Sequence, residues 1–142
     1  NVLTIPSSSI KFDYRKSDLP RDLIFLSASF KGKFKKKDLV ERDIKILKKK
    51  KDNAQPTQVK TGGSTFKNPI KQTNKKVWEL IKSSVPKNTT FGGAMISDKH
   101  SNFFVNKNKA TFDDMKKLID FVKKNVKKKM GINLELEIEI VG

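Results

Sequence analysis

The stretch with the clearest chemical potential is Gly62-Gly63-Ser64-Thr65-Phe66-Lys67-Asn68-Pro69. Two adjacent glycines let backbone approach something large, or adopt dihedrals closed to other residues. Ser64 follows them directly, and Pro69 ends the run with a residue that cannot donate a backbone hydrogen bond. This reads as a hydroxyl presented on a tight turn, flanked by the cation Lys67 and the amide of Asn68. Such a group can donate a proton or a hydrogen bond, though a polar loop has the same composition. Near the start, Phe12-Asp13-Tyr14-Arg15-Lys16-Ser17 puts an aromatic and a guanidinium together at a strand end.

Composition removes other chemistries. The 142 residues suit one domain with its own core. There is no cysteine, so no disulfide framework or cysteine-based zinc site is available, and with His100 the only histidine a histidine-rich metal site is excluded. No metal is expected. No apolar run reaches the roughly 20 residues of a membrane span, and Val2-Leu3-Thr4-Ile5 is too short for a signal-peptide core. A cytoplasmic, soluble domain is expected, and without an initiating methionine the chain reads as a piece of something longer. Net charge is +17, from 32 basic and 15 acidic residues. That excess favours nucleic acid, phosphorylated metabolites or anionic surfaces. Yet only Arg15, Arg21 and Arg42 are arginine, the better residue for bidentate contacts with nucleic acid. A lysine-biased genome would produce much of the same excess.

The elements that must position these residues follow from periodicity. Val2–Ile5, Ile10–Tyr14 and Leu23–Phe30 read as strands, the last half-buried with Ile24, Leu26, Ala28 and Phe30 on one face. Asp38 is placed to cap a helix running to about Lys51, with Leu39, Val40, Ile44 and Leu47 as its apolar stripe. Asn74–Ser84 reads as a short helix facing Val77, Leu80 and Ile81 inward, with Trp78 beside them. Gly92-Gly93 is a second double-glycine turn, entering a strand, and Phe103–Val105 is another strand. Thr111 with Asp114 forms a capping box for a helix whose apolar spacing runs from Phe112 to Met130, ended by Gly131. Leu134–Ile140 alternates strictly, placing Glu135, Glu137 and Glu139 outward. Interleaved elements without a βαβ repeat predict an α+β fold, a mixed or antiparallel sheet packed with about three helices.

Four motifs in order give the chain a resemblance. They are Phe12, Tyr14, Arg15 and Ser17; Gln55-Pro56 with Ser64–Pro69; Gly92–His100 with Asn102–Asn106; and Gly131–Ile138. Together they resemble the C-terminal part of the UDP-N-acetylenolpyruvoylglucosamine reductase (MurB) family, in its shorter subtype without the tyrosine-bearing insertion.

The resemblance implies residues 1–18 as the last strands of an otherwise absent FAD-binding domain and 19–142 as the substrate-binding domain. It implies an oxidoreductase of peptidoglycan synthesis, in which NADPH reduces FAD and the enolpyruvyl double bond of a UDP-sugar is then reduced to UDP-N-acetylmuramate. Ser64 matches the family's proton donor, Glu137 its catalytic glutamate, and Arg15 the arginine that holds the substrate carboxylate. Tyr14, Asn68, Lys87 and His100 fall at substrate-binding positions. The turn Ser83–Asn88 lacks the glycines usual there. FAD and NADPH would be held mainly by the missing domain, so this chain alone is expected to be inactive. Its partners would be the UDP-sugar and its own FAD-binding domain or chain. The alternative is a basic, non-catalytic domain of the same descent, repurposed to bind RNA or a ribonucleoprotein.

Overall fold

The structure, a computed structural model, describes residues 2–141. It divides into two units, Asn1–Lys35 and Lys36–Gly142.

In the first unit a short 3-10 turn, Ser7–Ser9, precedes a two-stranded hairpin of β1 (Phe12–Asp13) and β2 (Lys16–Ser17). Tyr14 and Arg15 are its two-residue turn, and Arg15 takes a left-handed φ of 59°. The Asp13 carboxylate accepts the Tyr14 N–H at 2.7 Å and pairs with Lys16 at 3.2 Å, which helps close the turn. The strands expected at Val2–Ile5 and Leu23–Phe30 do not form, and that at Ile10–Tyr14 shrinks to β1. Ile24 and Phe30 are 83% and 93% exposed. A period-two face becomes a strand only when a neighbour takes its backbone groups. Among the described residues nothing pairs with 23–30.

The second unit is a four-stranded antiparallel sheet with helices. In chain order come α1 (Lys37–Ala54), β3 (Lys60–Ser64), α2 (Val77–Ser84), β4 (Thr90–Phe91), β5 (Ala94–Ile96), β6 (Phe103–Asn106) and α3 (Phe112–Met130). The strand order is β3-β6-β5-β4, every pair antiparallel. The α+β expectation is therefore met, with three α-helices among the described residues. Val77, Leu80 and Ile81 of α2 and Leu118, Ile119, Val122 and Val126 of α3 form the core with Phe66, Ala94, Phe104 and Leu134.

The expected ends of α3 are found. Thr111 Oγ1 accepts the Asp114 N–H at 3.1 Å, the Asp114 carboxylate accepts the Thr111 N–H at 2.9 Å, and Gly131 is left-handed at φ 71°. The bonds from Thr111 hold the Asp114 carboxyl below its usual range. A depressed carboxyl stabilises the fold above its unfolded pKa, and that contribution fades as pH falls through the folded value.

α1 differs from expectation. Lys36 occupies the N-cap and Asp38 sits in the first turn; the helix buries no residue, and Ile44 and Leu47 are 48% and 64% exposed. No helix among the described residues is long and apolar enough to cross a membrane. α2 starts later than expected, at Val77, and Trp78 is 39% exposed rather than packed inward.

The last segment is extended but not a regular strand. It forms a single bridge, Phe66 to Leu136. Leu134, Leu136 and Ile138 do pack inward, while Ile140 is 41% exposed and Glu137, expected outward, is partly buried.

Gly92-Gly93 forms the two-residue turn of the β4–β5 hairpin, with Phe91 opposite Ala94. Gly92 has φ 51°, and the space beside its Cα is filled by the Asp114 carboxylate. A methyl on Gly93 would overlap the Asn108 carbonyl and the Ala110 nitrogen, both main chain. Main chain in a strand turn cannot yield as a flexible side chain can. Gly93→Ala is therefore expected to cost about 3 kcal/mol or more, read as a lower urea midpoint at unchanged slope.

Candidate active site

The octet around Ser64 is not the tight turn its sequence suggests. It is the end of β3 and the chain leaving it. Thr61 pairs with Val105 but Ser64 with Phe103, so β3 carries one extra residue, and Gly63 takes φ 86° at that bulge. An added Cβ on Gly63 meets nothing, so this position needs glycine for its dihedral rather than for space. A bulge re-aims the residue that follows it.

Beyond Ser64 the main chain is gripped from both sides. On one side is Asn102, 3% exposed. Its carbonyl accepts the Thr65 N–H at 2.8 Å, its Oδ1 accepts the Phe66 N–H at 3.0 Å, and its Nδ2 donates to the Phe66 carbonyl at 2.8 Å. On the other side the Glu137 N–H donates to the Thr65 carbonyl, and the Lys67 N–H to the Glu135 carbonyl, each at 2.9 Å. Ser64 is thus one residue from the point where Glu137 is tied on. Residues far apart in sequence are joined by backbone bonds, the most reproducible means a fold has of fixing two functional groups.

Asn102 also reaches the other polar residues. Its N–H donates to Nδ1 of His100 at 3.2 Å. The His100 ring lies edge-on to Phe103 at 4.9 Å and 6.4 Å from the Trp78 ring. Burial lowers the His100 pKa, partly opposed by a backbone hydrogen bond, so the ring is neutral at pH 7. The bond from Asn102 to Nδ1 favours the tautomer that carries its proton on Nε2.

His100 and Lys87 line one cleft of about 550 Å³, together with Trp78, Lys82 and Lys99. Trp78 and Lys82 are four apart on α2 and so share a helix face. Lys99 is committed in part: its Nζ donates to the Asp52 carbonyl near the end of α1 at 2.6 Å. Asp98 is an acidic lining residue beside these lysines. Such a cleft is suited to a phosphorylated ligand carrying an apolar or aromatic portion. Asn68 links cleft and octet, since its Oδ1 accepts the Val77 N–H at 3.0 Å where α2 begins.

The structure therefore brings Ser64, Asn68, Glu137, His100 and Lys87 into one connected region of the second unit. Tyr14 and Arg15 belong to the first unit, where the Arg15 guanidinium lies 5.7 Å from the centre of the Tyr14 ring. Thr61 carries no local sign of its importance, and Asn102 only its place in the third motif. Their partners lie about 40 residues away. Trp78 and Lys82 share a face by their helical spacing alone.

Taken together, this is a small α+β domain in which a bulged strand end carrying a serine is paired with a glutamate-bearing segment and tied through Asn102 to a basic cleft. A family model described as "UDP-N-acetylenolpyruvoylglucosamine reductase, C-terminal domain" matches residues 55–141. The chain belongs to that family. It is 64% identical over 140 residues to the UDP-N-acetylenolpyruvoylglucosamine reductase of Pelagibacter ubique (strain HTCC1062), covering 99% of this chain and 46% of that protein. With the reductase of the same name from Rickettsia conorii (strain ATCC VR-613 / Malish 7) identity is 37%, over 100% of this chain and 47% of the relative. The crystal structure of the reductase (MurB) from Thermus caldophilus superposes with a TM-score of 0.72 at 32% identity, over 93% of this chain and 46% of that one. The chain spans about half the length of the relatives it matches. These relatives support the reductase reading and not the RNA-binding one.

Proposed function

We propose that this chain is the substrate-binding half of an oxidoreductase that converts UDP-N-acetylglucosamine enolpyruvate to UDP-N-acetylmuramate in peptidoglycan precursor synthesis. The observation that carries the reading is the backbone pairing of Glu137 with Thr65, one residue from Ser64, tied through Asn102 to His100 in a cleft lined by lysine, histidine and tryptophan. Residues 19–142 would form the substrate domain and residues 1–18 the end of the flavin domain, in a cytoplasmic protein.

The family's FAD, reduced by NADPH, supplies the hydride when bound. Neither double-glycine stretch offers it a phosphate cradle. The Gly92-Gly93 turn is filled by Asp114, Asn108 and Ala110, and Gly63 is spent on the bulge. Its binding falls, on this reading, to the flavin domain. What this chain contributes is the acid and the charge stabilisation. Hydride addition next to a carboxylate leaves negative charge on the adjoining carbon and carboxylate. The Ser64 hydroxyl donates its proton to that carbon, as general acid catalysis requires. Arg15 holds the substrate carboxylate and spreads the developing charge, and Glu137 completes the catalytic set. Lys87 faces the diphosphate, while Asn68, Tyr14 and neutral His100 donate hydrogen bonds to the sugar and its substituents.

The test is made on the full-length protein. A flavin absorption spectrum and NADPH oxidation that depends on the enolpyruvyl UDP-sugar are expected. A flavoprotein that oxidises NADPH at the same rate with and without that sugar would overturn the reading.

A further inference from the structure

The bulge that presents Ser64 is held by a hydroxyl for which the proposed reaction has no use. Thr61 Oγ1 donates to the Phe104 carbonyl at 2.7 Å and accepts the Gly63 N–H at 3.2 Å. It therefore ties β6 to the extra residue that shifts the register between Thr61 and Ser64. Side chains alternate across a strand, so one inserted residue decides which face the next side chain takes. Gly63, with φ 86°, has wide conformational freedom, and its own dihedral preference cannot hold the bulge. The ladder bonds on either side fix Thr61 and Ser64 but leave the two glycines between them to be placed by something else. The Thr61 hydroxyl is that element.

We propose that Thr61 is a positioning residue for Ser64: its hydroxyl locks the β3 bulge and so sets where the serine hydroxyl points. The inference rests on the reading of Ser64 as the proton donor. Valine has nearly the shape of threonine and an equal liking for strands, so Thr61→Val removes the two hydrogen bonds with little change in packing. Serine keeps the hydroxyl.

Two measurements on the full-length protein test this. In the first, Thr61→Val should reduce the enolpyruvyl UDP-sugar about 10- to 100-fold more slowly, the loss expected of a misplaced reacting group. Flavin reduction by NADPH should be unchanged, the loss should fall on kcat more than on KM, and the solvent deuterium isotope effect should rise as protonation becomes slower. Thr61→Ser should restore most of the rate. A Thr61→Val enzyme that turns over within twofold of wild type, with only its unfolding midpoint lowered, overturns the proposal. The second measurement needs no activity. Amide hydrogen exchange in the segment 60–66 should accelerate in Thr61→Val and recover in Thr61→Ser, and unchanged exchange overturns the proposal. If the wild-type protein proves inert toward the sugar, the functional reading falls, while exchange still decides whether the hydroxyl holds the bulge.

Discussion

Ser64→Ala in the full-length protein is expected to slow reduction of the enolpyruvyl UDP-sugar by about 100- to 10,000-fold, the range that a positioned general acid supplies, while flavin reduction by NADPH proceeds at the wild-type rate. On the proposed reaction the two half-reactions separate, because Ser64 lies at the end of β3, one residue from the point where the Glu137 segment is tied on, and only the second half-reaction would need a proton at carbon. Rapid mixing resolves them: flavin bleaching by NADPH in one experiment, reoxidation of reduced flavin by the sugar in the other. The substitution removes one oxygen from a partly exposed residue whose main chain is paired to Phe103, so little stability should be lost. Equal loss in both half-reactions would show that Ser64 serves the structure or the flavin and not proton transfer. A KM raised with kcat unchanged would make it a binding group only.

The parts of this fold that could be read from sequence are those whose signals are local. α3 is the clearest: Thr111, Asp114 and Gly131 sit at its ends as expected, and its buried face repeats at helical spacing. The β4–β5 hairpin likewise follows from its own glycines. What was not legible depends on residues far away. Gly62-Gly63 has the composition of a turn and is a bulge, because its register is set by β6 about 40 residues on. Leu23–Phe30 has a strand's alternation, but alternation cannot say whether a partner exists. α1 has an apolar stripe by the same reasoning, and it lies exposed in the unit to which it belongs. For the site, motif resemblance named Ser64, Glu137 and His100, and the structure supplied their connection. Asn102 binds Thr65, Phe66 and His100 at once, a role that no pattern of apolar and polar residues encodes.

Phe66→Ala is the substitution expected to damage fold and site together. Phe66 is 1% exposed, lies edge-on to Phe104 at 5.8 Å, and makes the only bridge to the last segment among the described residues. Emptying such a position costs about 3–5 kcal/mol, a large part of the roughly 5–15 kcal/mol that holds a domain together. Phe66→Leu should cost about 1.5 kcal/mol, since leucine refills much of the space. The more informative effect is on the neighbours. Asn102 grips both main-chain groups of Phe66, and Glu137 is tied to the residue before it, so the ring is the anchor that keeps this backbone seated. At a temperature where Phe66→Ala is still folded, turnover per folded molecule should fall at least tenfold, with Phe66→Leu between it and wild type. Unfolding by urea gives the first quantity, and turnover corrected for the folded fraction gives the second. If stability falls as expected but corrected turnover does not, the Asn102 grip suffices without the ring beneath it, and the site is more independent of the core than this packing indicates.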